Sequence, residues 1–358
     1  MPQRASPISP TGRQWVIAHG HQEAVVTEVG ATLRSYTLGG DDVVDGFGPA
    51  EWSHAGRGQV LAPWPNRLGD GRYEWRGVQA QAPLDEPALG NAIHGLVRWL
   101  PWRLEAGAQN VVALGCTIWP TPAYPWSVQL RCEYRLRRDG LVVSTRATCA
   151  GDAAAPFGVG FHPYLRAGTE RIDDAALVLP AGRRLALDAR SLPTGEVLSV
   201  EGTELDFTAG RLIGTTQLDT AFTDLHRGAD GIARASLGDP VSGRGVELWM
   251  DEGFRYLMCF TADTVEPERR RRAVAIEPMT CPPDRVPLRH GPHRARARRD
   301  LGGELGIATA LRVHAGPPLR ALRAPGRLRV AASNAARRRR LARRGRPSRR
   351  RRGAARGS

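Results

Sequence analysis

Two side chains at the ends of apolar runs have the chemistry of a proton donor and a proton acceptor. His162 lies in Gly160-Phe161-His162-Pro163-Tyr164-Leu165, after the strand-like approach Pro156-Phe157-Gly158-Val159. Pro163 biases it toward extended geometry, so the ring is expected at a strand end, aimed in one direction. An imidazole with an ordinary pKa of about 6.5 can give or take a proton near neutrality; the same residue would also suit a core histidine satisfied by a backbone carbonyl. Glu277 ends the apolar run Val274-Ala275-Ile276 and is followed by Pro278. A carboxylate there needs a partner or a function.

Other loops carry more functional groups than a connection requires. In Ala62-Pro63-Trp64-Pro65-Asn66-Arg67-Leu68-Gly69, prolines stiffen the approach, presenting Asn66 and Arg67 beside an aromatic face suited to a sugar or apolar ligand. His94 precedes Gly95 in Asn91-Ala92-Ile93-His94-Gly95 and reads equally as a structural histidine. Asp219, in Leu218-Asp219-Thr220, is either a turn residue or an acceptor for several sugar hydroxyls. One arginine, two histidines, an aspartate and a glutamate can make a general acid/base site with neither metal nor cofactor. Nucleophile-elbow, Walker and dinucleotide-binding motifs are missing from the sequence, and Cys116, Cys132, Cys149, Cys259 and Cys281 form no metal-like spacing. They read as reduced thiols.

The elements that must hold these groups read as short strands. Runs at 14–18, 24–29, 32–37, 111–118, 128–136, 141–149, 175–179, 232–237, 246–250, 256–260 and 273–276 are apolar or alternate, and glycine and proline punctuate them. The span 166–214 reads as polar and loop-rich. No segment before residue 285 sustains a helical pattern, so an all-β fold, a large antiparallel β-sandwich, is expected over residues 14–284 after a flexible 1–13.

The net charge of +15 is not spread evenly. Residues 285–358 hold 23 arginines against Asp300 and Glu304, whereas the preceding 284 residues hold 28 arginines against 34 acids. Every basic residue other than histidine is arginine, as in a strongly GC-biased gene. The basic stretch reads as a disordered low-complexity tail. Either it binds nucleic acid or another anionic surface, or, the favoured reading, it is the product of a shifted reading frame. No membrane span and no signal-peptide core are found, and the reduced thiols fit a cytoplasmic protein.

In this order, Pro65-Asn66-Arg67, Asn91-Ala92-Ile93-His94-Gly95, Gly160-Phe161-His162-Pro163-Tyr164, Leu218-Asp219-Thr220-Ala221-Phe222 and Ile276-Glu277-Pro278-Met279 resemble the aldose 1-epimerase (galactose mutarotase) family. The resemblance covers roughly residues 14–284 and implies a galactose mutarotase-like supersandwich that interconverts the anomers of a free aldohexose. It implies Glu277 as the base at the sugar O1 hydroxyl and His162 as the acid at the ring oxygen. His94 and Arg67 would hold substrate oxygens, with Asn66 and Asp219 binding the sugar. After Asp284 the family's closing strand is not recognisable. Rival readings are a hexose-6-phosphate 1-epimerase, with Arg98 and Arg166 as candidate phosphate contacts, and a non-catalytic carbohydrate-binding protein.

Overall fold

Alternation of period two builds the larger sheet. In the strand Val128–Arg137, Val128, Leu130, Cys132, Tyr134 and Leu136 are buried while the residues between them are more exposed. In Gly245–Met250, Val246, Leu248 and Met250 do the same. One face of such a strand covers the core and the other meets water. The computed structural model of the protein describes residues 9–151, 153–285 and 300–310. These fall in a first unit, residues 1–319, while a second, 320–358, lies outside the described residues.

The fold is the expected all-β antiparallel sandwich. A nine-stranded sheet runs, in spatial order, Arg103–Ala108, Val111–Ile118, Val128–Arg137, Gly140–Cys149, Asp300–Ala310, Gly245–Met250, Ala233–Gly238, Ala176–Val178 and Arg211–Leu212. An eight-stranded sheet runs Pro193–Ser199, Ala181–Leu187, Asp219–Leu225, Tyr256–Phe260, Val274–Met279, Gly160–Phe161 and Val60–Leu61, with Tyr164–Leu165 also paired to Val274–Met279. The strand pairings are antiparallel. Their facing side chains merge into one large core cluster that includes Leu114, Tyr134, Leu177, Phe222, Leu248 and Ile276. A four-stranded sheet from Gln14–His19 to Asp41–Asp42 and two hairpin-like pairs complete the architecture.

Where strands are strongly apolar the sequence reading matches; Val111–Ile118 and Tyr256–Phe260 coincide with it. It fails in the span 166–214, where Ala181–Leu187 and Pro193–Ser199 pair at the edge of the eight-stranded sheet. An edge strand with mostly solvent-facing side chains carries little hydrophobic periodicity.

A second correction concerns the boundary at residue 284. Asp300–Ala310, inside the span read as a tail, lies between Gly140–Cys149 and Gly245–Met250 and pairs with both. It supplies the closing strand that the sequence reading did not recognise. Leu305 and Ile307 enter the core. Between them Gly306 lies under the Trp249 indole, where a Cβ would come within 2.1 Å of the ring; Gly302, Gly303 and Gly306 dilute the apolar pattern that would announce a strand. The remaining residues of that span, 286–299 and 311–358, lie outside the described residues, as do residues 1–8 of the expected flexible start.

Ile307→Ala removes a buried side chain from this central strand and is expected to cost about 2–5 kcal/mol, measured by denaturant unfolding. Unfolding at the wild-type midpoint would show that the strand does not close the sheet.

Candidate active site

The site is assembled on Val274–Met279, a strand whose six residues are all buried. Glu277 sits inside this strand, two residues before its end, opposite Met258. Beside it, Gly160 pairs with Met279, and His162 follows directly after Gly160–Phe161. The lateral contact brings two groups 115 residues apart in the chain to one point. Nε2 of His162 lies 3.3 Å from Oε1 of Glu277, and the residues are 4% and 2% exposed.

The imidazole is held on several sides. Its ring stacks on Tyr164, with centroids 5.0 Å apart and planes 11° from parallel. The Tyr164 hydroxyl donates to the Ala55 carbonyl at 2.9 Å, and the buried Arg57 guanidinium lies over the same ring, 4.2 Å from its centroid. Arg57 in turn pairs with Asp45 at 3.0 Å. Gly56, at φ +73°, closes on the histidine so tightly that a Cβ would be 2.5 Å from Cδ2; a side chain there would collide with the ring and strain the backbone.

His94 approaches His162 edge-on, with centroids 5.3 Å apart. It is the first residue after Asn91–Ile93, which pairs with Arg67–Gly69. Asn66 and His94 both have left-handed backbones, at φ 59° and 65°. Two reciprocal bonds hold them. The His94 N–H donates to the Asn66 carbonyl at 2.9 Å, and the Asn66 N–H donates to Nδ1 of His94 at 3.2 Å. A neutral His94 accepting at Nδ1 must carry its proton on Nε2, which makes that nitrogen a donor. Asn66 uses its side-chain carbonyl on the Arg67 N–H at 2.8 Å, leaving its amide nitrogen as the group a ligand could use.

Arg67 begins a strand rather than standing on a free loop. Its Nη1 is 3.5 Å from Asp219, the first residue of Asp219–Leu225, which is half-exposed. Thus the structure brings His162, Glu277, His94, Asn66, Arg67 and Asp219 into a connected set. Arg98 pairs with Asp85 in this neighbourhood. Arg166, in contrast, pairs with Asp42 and lines a separate hollow of about 280 Å³ with Arg244 and His21.

Burial governs the protonation of the pair. Loss of water pushes His162 down from 6.5 to about 3, helped by the Arg57 charge. Burial and the nearby Asp219 push Glu277 well above the ordinary carboxylate range, while Arg67 pulls the other way. His94 is driven well down by burial and by His162. Desolvation raises Asp219 against the pull of Arg67. A neutral His162 beside a protonated Glu277 carries the same single proton as an imidazolium beside a carboxylate; hydrogen bonds from a ligand to the carboxylate would favour the second form. Among the described residues, Nδ1 of His162, Oε2 of Glu277 and Nε1 of Trp64 are buried with no hydrogen-bond partner. Each such group costs about 1–3 kcal/mol, so ligand hydroxyls have groups to satisfy.

The sequence reading did not single out Glu86, Tyr164 or Arg57. Glu86 grips Arg67, yet it stands in Leu84-Asp85-Glu86-Pro87, where two acids before a proline read as an ordinary turn. Among the described residues no group of three or more histidine, cysteine or acidic side chains could hold a metal ion, and no helix is long and apolar enough to cross a membrane.

The sequence model of the aldose 1-epimerase family matches residues 13–287. Protein YihR of Escherichia coli K12, itself uncharacterised, is 31% identical over 275 residues, 76% of this chain and 86% of its own. The maltose epimerase of Levilactobacillus brevis is 26% identical over 63% of this chain and 71% of its own. Human galactose mutarotase is 28% identical over 42% of this chain and 44% of its own. Solved structures share the fold, and two of them illustrate it. A GalM/aldose epimerase homologue from C. elegans superposes with a TM-score of 0.71 at 19% identity, covering 83% of this chain and 99% of that one. The galactose 1-epimerase of Lactobacillus acidophilus NCFM gives 0.68 at 18% identity, covering 83% and 94%.

The lowered His162 pKa has a definite sign. An unfolded chain takes up this proton near pH 6.5, the folded one only near pH 3. The residue's contribution to stability is therefore complete above pH 6.5 and lost as pH falls toward 3; Glu277, shifted upward, contributes in the opposite sense and loses its share as pH rises through its folded value. Nitrogen NMR of the His162 ring is expected to show a neutral imidazole from pH 8 down to about 5 in the free protein. A titration centred near 6.5 would mean that the ring is solvated.

Proposed function

Because this chain belongs to the aldose 1-epimerase family, we propose that it is a mutarotase, an isomerase that opens and recloses the hemiacetal ring of a free aldohexose and so exchanges its α and β anomers. The single observation that supports this most is the buried His162–Glu277 contact at 3.3 Å, whose outer polar atoms have no partner among the described residues.

Ring opening needs one proton removed from the O1 hydroxyl and one delivered to the ring oxygen; no electrons are exchanged with a partner. Glu277, as carboxylate, takes the O1 proton while His162, as imidazolium, protonates the ring oxygen. The C1 to ring-oxygen bond breaks and C1=O1 forms. Rotation about C1–C2 presents the other face of the aldehyde, and reversal of both transfers closes the opposite anomer. Because the pair starts and ends with one proton, the cycle returns the enzyme to its initial state. The two transfers each contribute about 10²–10⁴-fold in general acid/base catalysis.

The remaining groups fit binding. His94 offers an Nε2–H donor, Arg67 offers Nη1, and Asp219 accepts from sugar hydroxyls. For the sugar-phosphate reading, the Asp42 pairing of Arg166 in a separate hollow removes one candidate phosphate contact, and Arg98 is already paired with Asp85. Names among the relatives refer to galactose and maltose. Both sugars, like glucose, present the same hemiacetal to the His162–Glu277 pair.

Polarimetry of freshly dissolved α-glucose, α-galactose and maltose is expected to show acceleration above the spontaneous rate for at least one of them. Glu277→Gln and His162→Gln should each lower kcat by at least about 10²-fold, with the thermal midpoint retained. Near-wild-type turnover by Glu277→Gln would eliminate its role as base; sugar binding without acceleration by the wild type would favour the non-catalytic carbohydrate-binding reading.

A further inference from the structure

Arginine offers five N–H donors in a rigid plane, so whatever holds one edge of the guanidinium decides which edge faces a ligand. For Arg67 that holder is Glu86. Its two oxygens take Nε at 3.1 and 3.0 Å and Nη2 at 3.1 Å, a forked carboxylate–guanidinium contact. The donors of Nη1 are left on the opposite side, toward Asp219 at 3.5 Å.

Glu86 is itself fixed. Its Oε2 accepts from Nδ2 of the fully buried Asn91 at 2.9 Å. The backbones of the two residues bond reciprocally, Glu86 N–H to Asn91 O at 3.0 Å and Asn91 N–H to Glu86 O at 3.2 Å. Asn91 also donates to the Arg190 carbonyl at 3.0 Å, and it opens the strand Asn91–Ile93 that leads to His94. One short loop therefore orients the Arg67 head group and anchors the strand that delivers His94. Forked arginine–carboxylate contacts are the strong, geometrically specific kind, and this one is largely sheltered, with the Arg67 and Glu86 side chains 12% and 22% exposed.

We propose that Glu86 is a positioning residue for sugar binding, holding Arg67 so that Nη1 meets substrate oxygens beside Asp219. This rests on the mutarotase reading. Glu86 touches no reacting atom in this proposal; it acts through Arg67. Without its grip the guanidinium is free to rotate, and Nη1 is no longer held in its position beside Asp219. A residue that orients a binding group in ground state and transition state alike should change KM more than kcat.

The test is a double-mutant cycle on the full chain with mutarotation kinetics, together with nitrogen NMR of the Arg67 Nε–H. Glu86→Ala is expected to raise KM about 10-fold, as for loss of one charge-assisted hydrogen bond to the sugar, with kcat within about twofold. Added to Arg67→Ala it should lower kcat/KM by less than about twofold more, because the clamp has nothing left to hold. Glu86→Gln, equal in size, should broaden or shift the Nε–H signal and raise KM in the same sense; it carries the measurement where the alanine variant fails to fold. An unchanged KM, or losses that multiply across the cycle, overturns the proposal while leaving the mutarotase reading intact. A wild type that accelerates no mutarotation overturns that reading instead, and in that case an Arg67 Nε–H signal indifferent to Glu86→Gln overturns the clamp separately.

Discussion

A histidine and a glutamate meet in a place from which water is excluded, and the packing around them depends on that constraint. In water an imidazole and a carboxyl group would sit at their ordinary values, about 6.5 and 4.3, and the proton would rest on the imidazole. Burial reverses the order, lowering His162 and raising Glu277. Burial thus favours the neutral pair, and hydrogen bonds from a polar ligand to the carboxylate would favour return of the proton to the imidazole. An exposed pair would be more strongly locked into separate charges and screened by solvent.

Keeping such a pair dry requires the architecture that surrounds it. Val274–Met279 is covered on both faces, and the lateral neighbours of Glu277 come from Tyr256–Phe260 and from the short strands on either side of His162. The imidazole is confined by Tyr164, Gly56 and His94, and the Arg57–Asp45 ion pair packs on Tyr164. Asp300–Ala310, in the nine-stranded sheet rather than the sheet that carries Glu277, joins strands that would otherwise be open edges. The groups beside His162 come from tight, locally bonded segments, with left-handed Asn66 and His94 bracing each other. Strained backbone of this kind, costing of order 1–3 kcal/mol per residue, persists because the surrounding bonds over-determine it.

Much of this was legible in the chain. Apolar runs with period-two alternation located the strong strands, since the pattern is local and follows from the pleat. The chemistry-bearing residues stood out because an imidazole before a proline, or a carboxylate in an apolar run, is a local anomaly. Weak strands escaped for an equally physical reason. Pro193–Ser199 is mostly solvent-facing, and Asp300–Ala310 contains three glycines among arginine-rich flanks, so neither carries the contrast that periodicity detects. Glu86 escaped because its role depends on an arginine 19 residues away meeting it across a loop.

By itself the sequence determined the residue types available for proton transfer, the β character of most of the chain and the order of the motifs, because these depend on near neighbours and on composition. Tertiary structure alone decided that His162 meets Glu277 rather than another acid, that Glu86 and Asp219 divide the edges of Arg67, and that a strand beyond residue 284 closes the larger sheet. Those outcomes depend on contacts between distant segments and on how thoroughly water is expelled between them. Neither the contact nor the desolvation is encoded in the identity of a single residue.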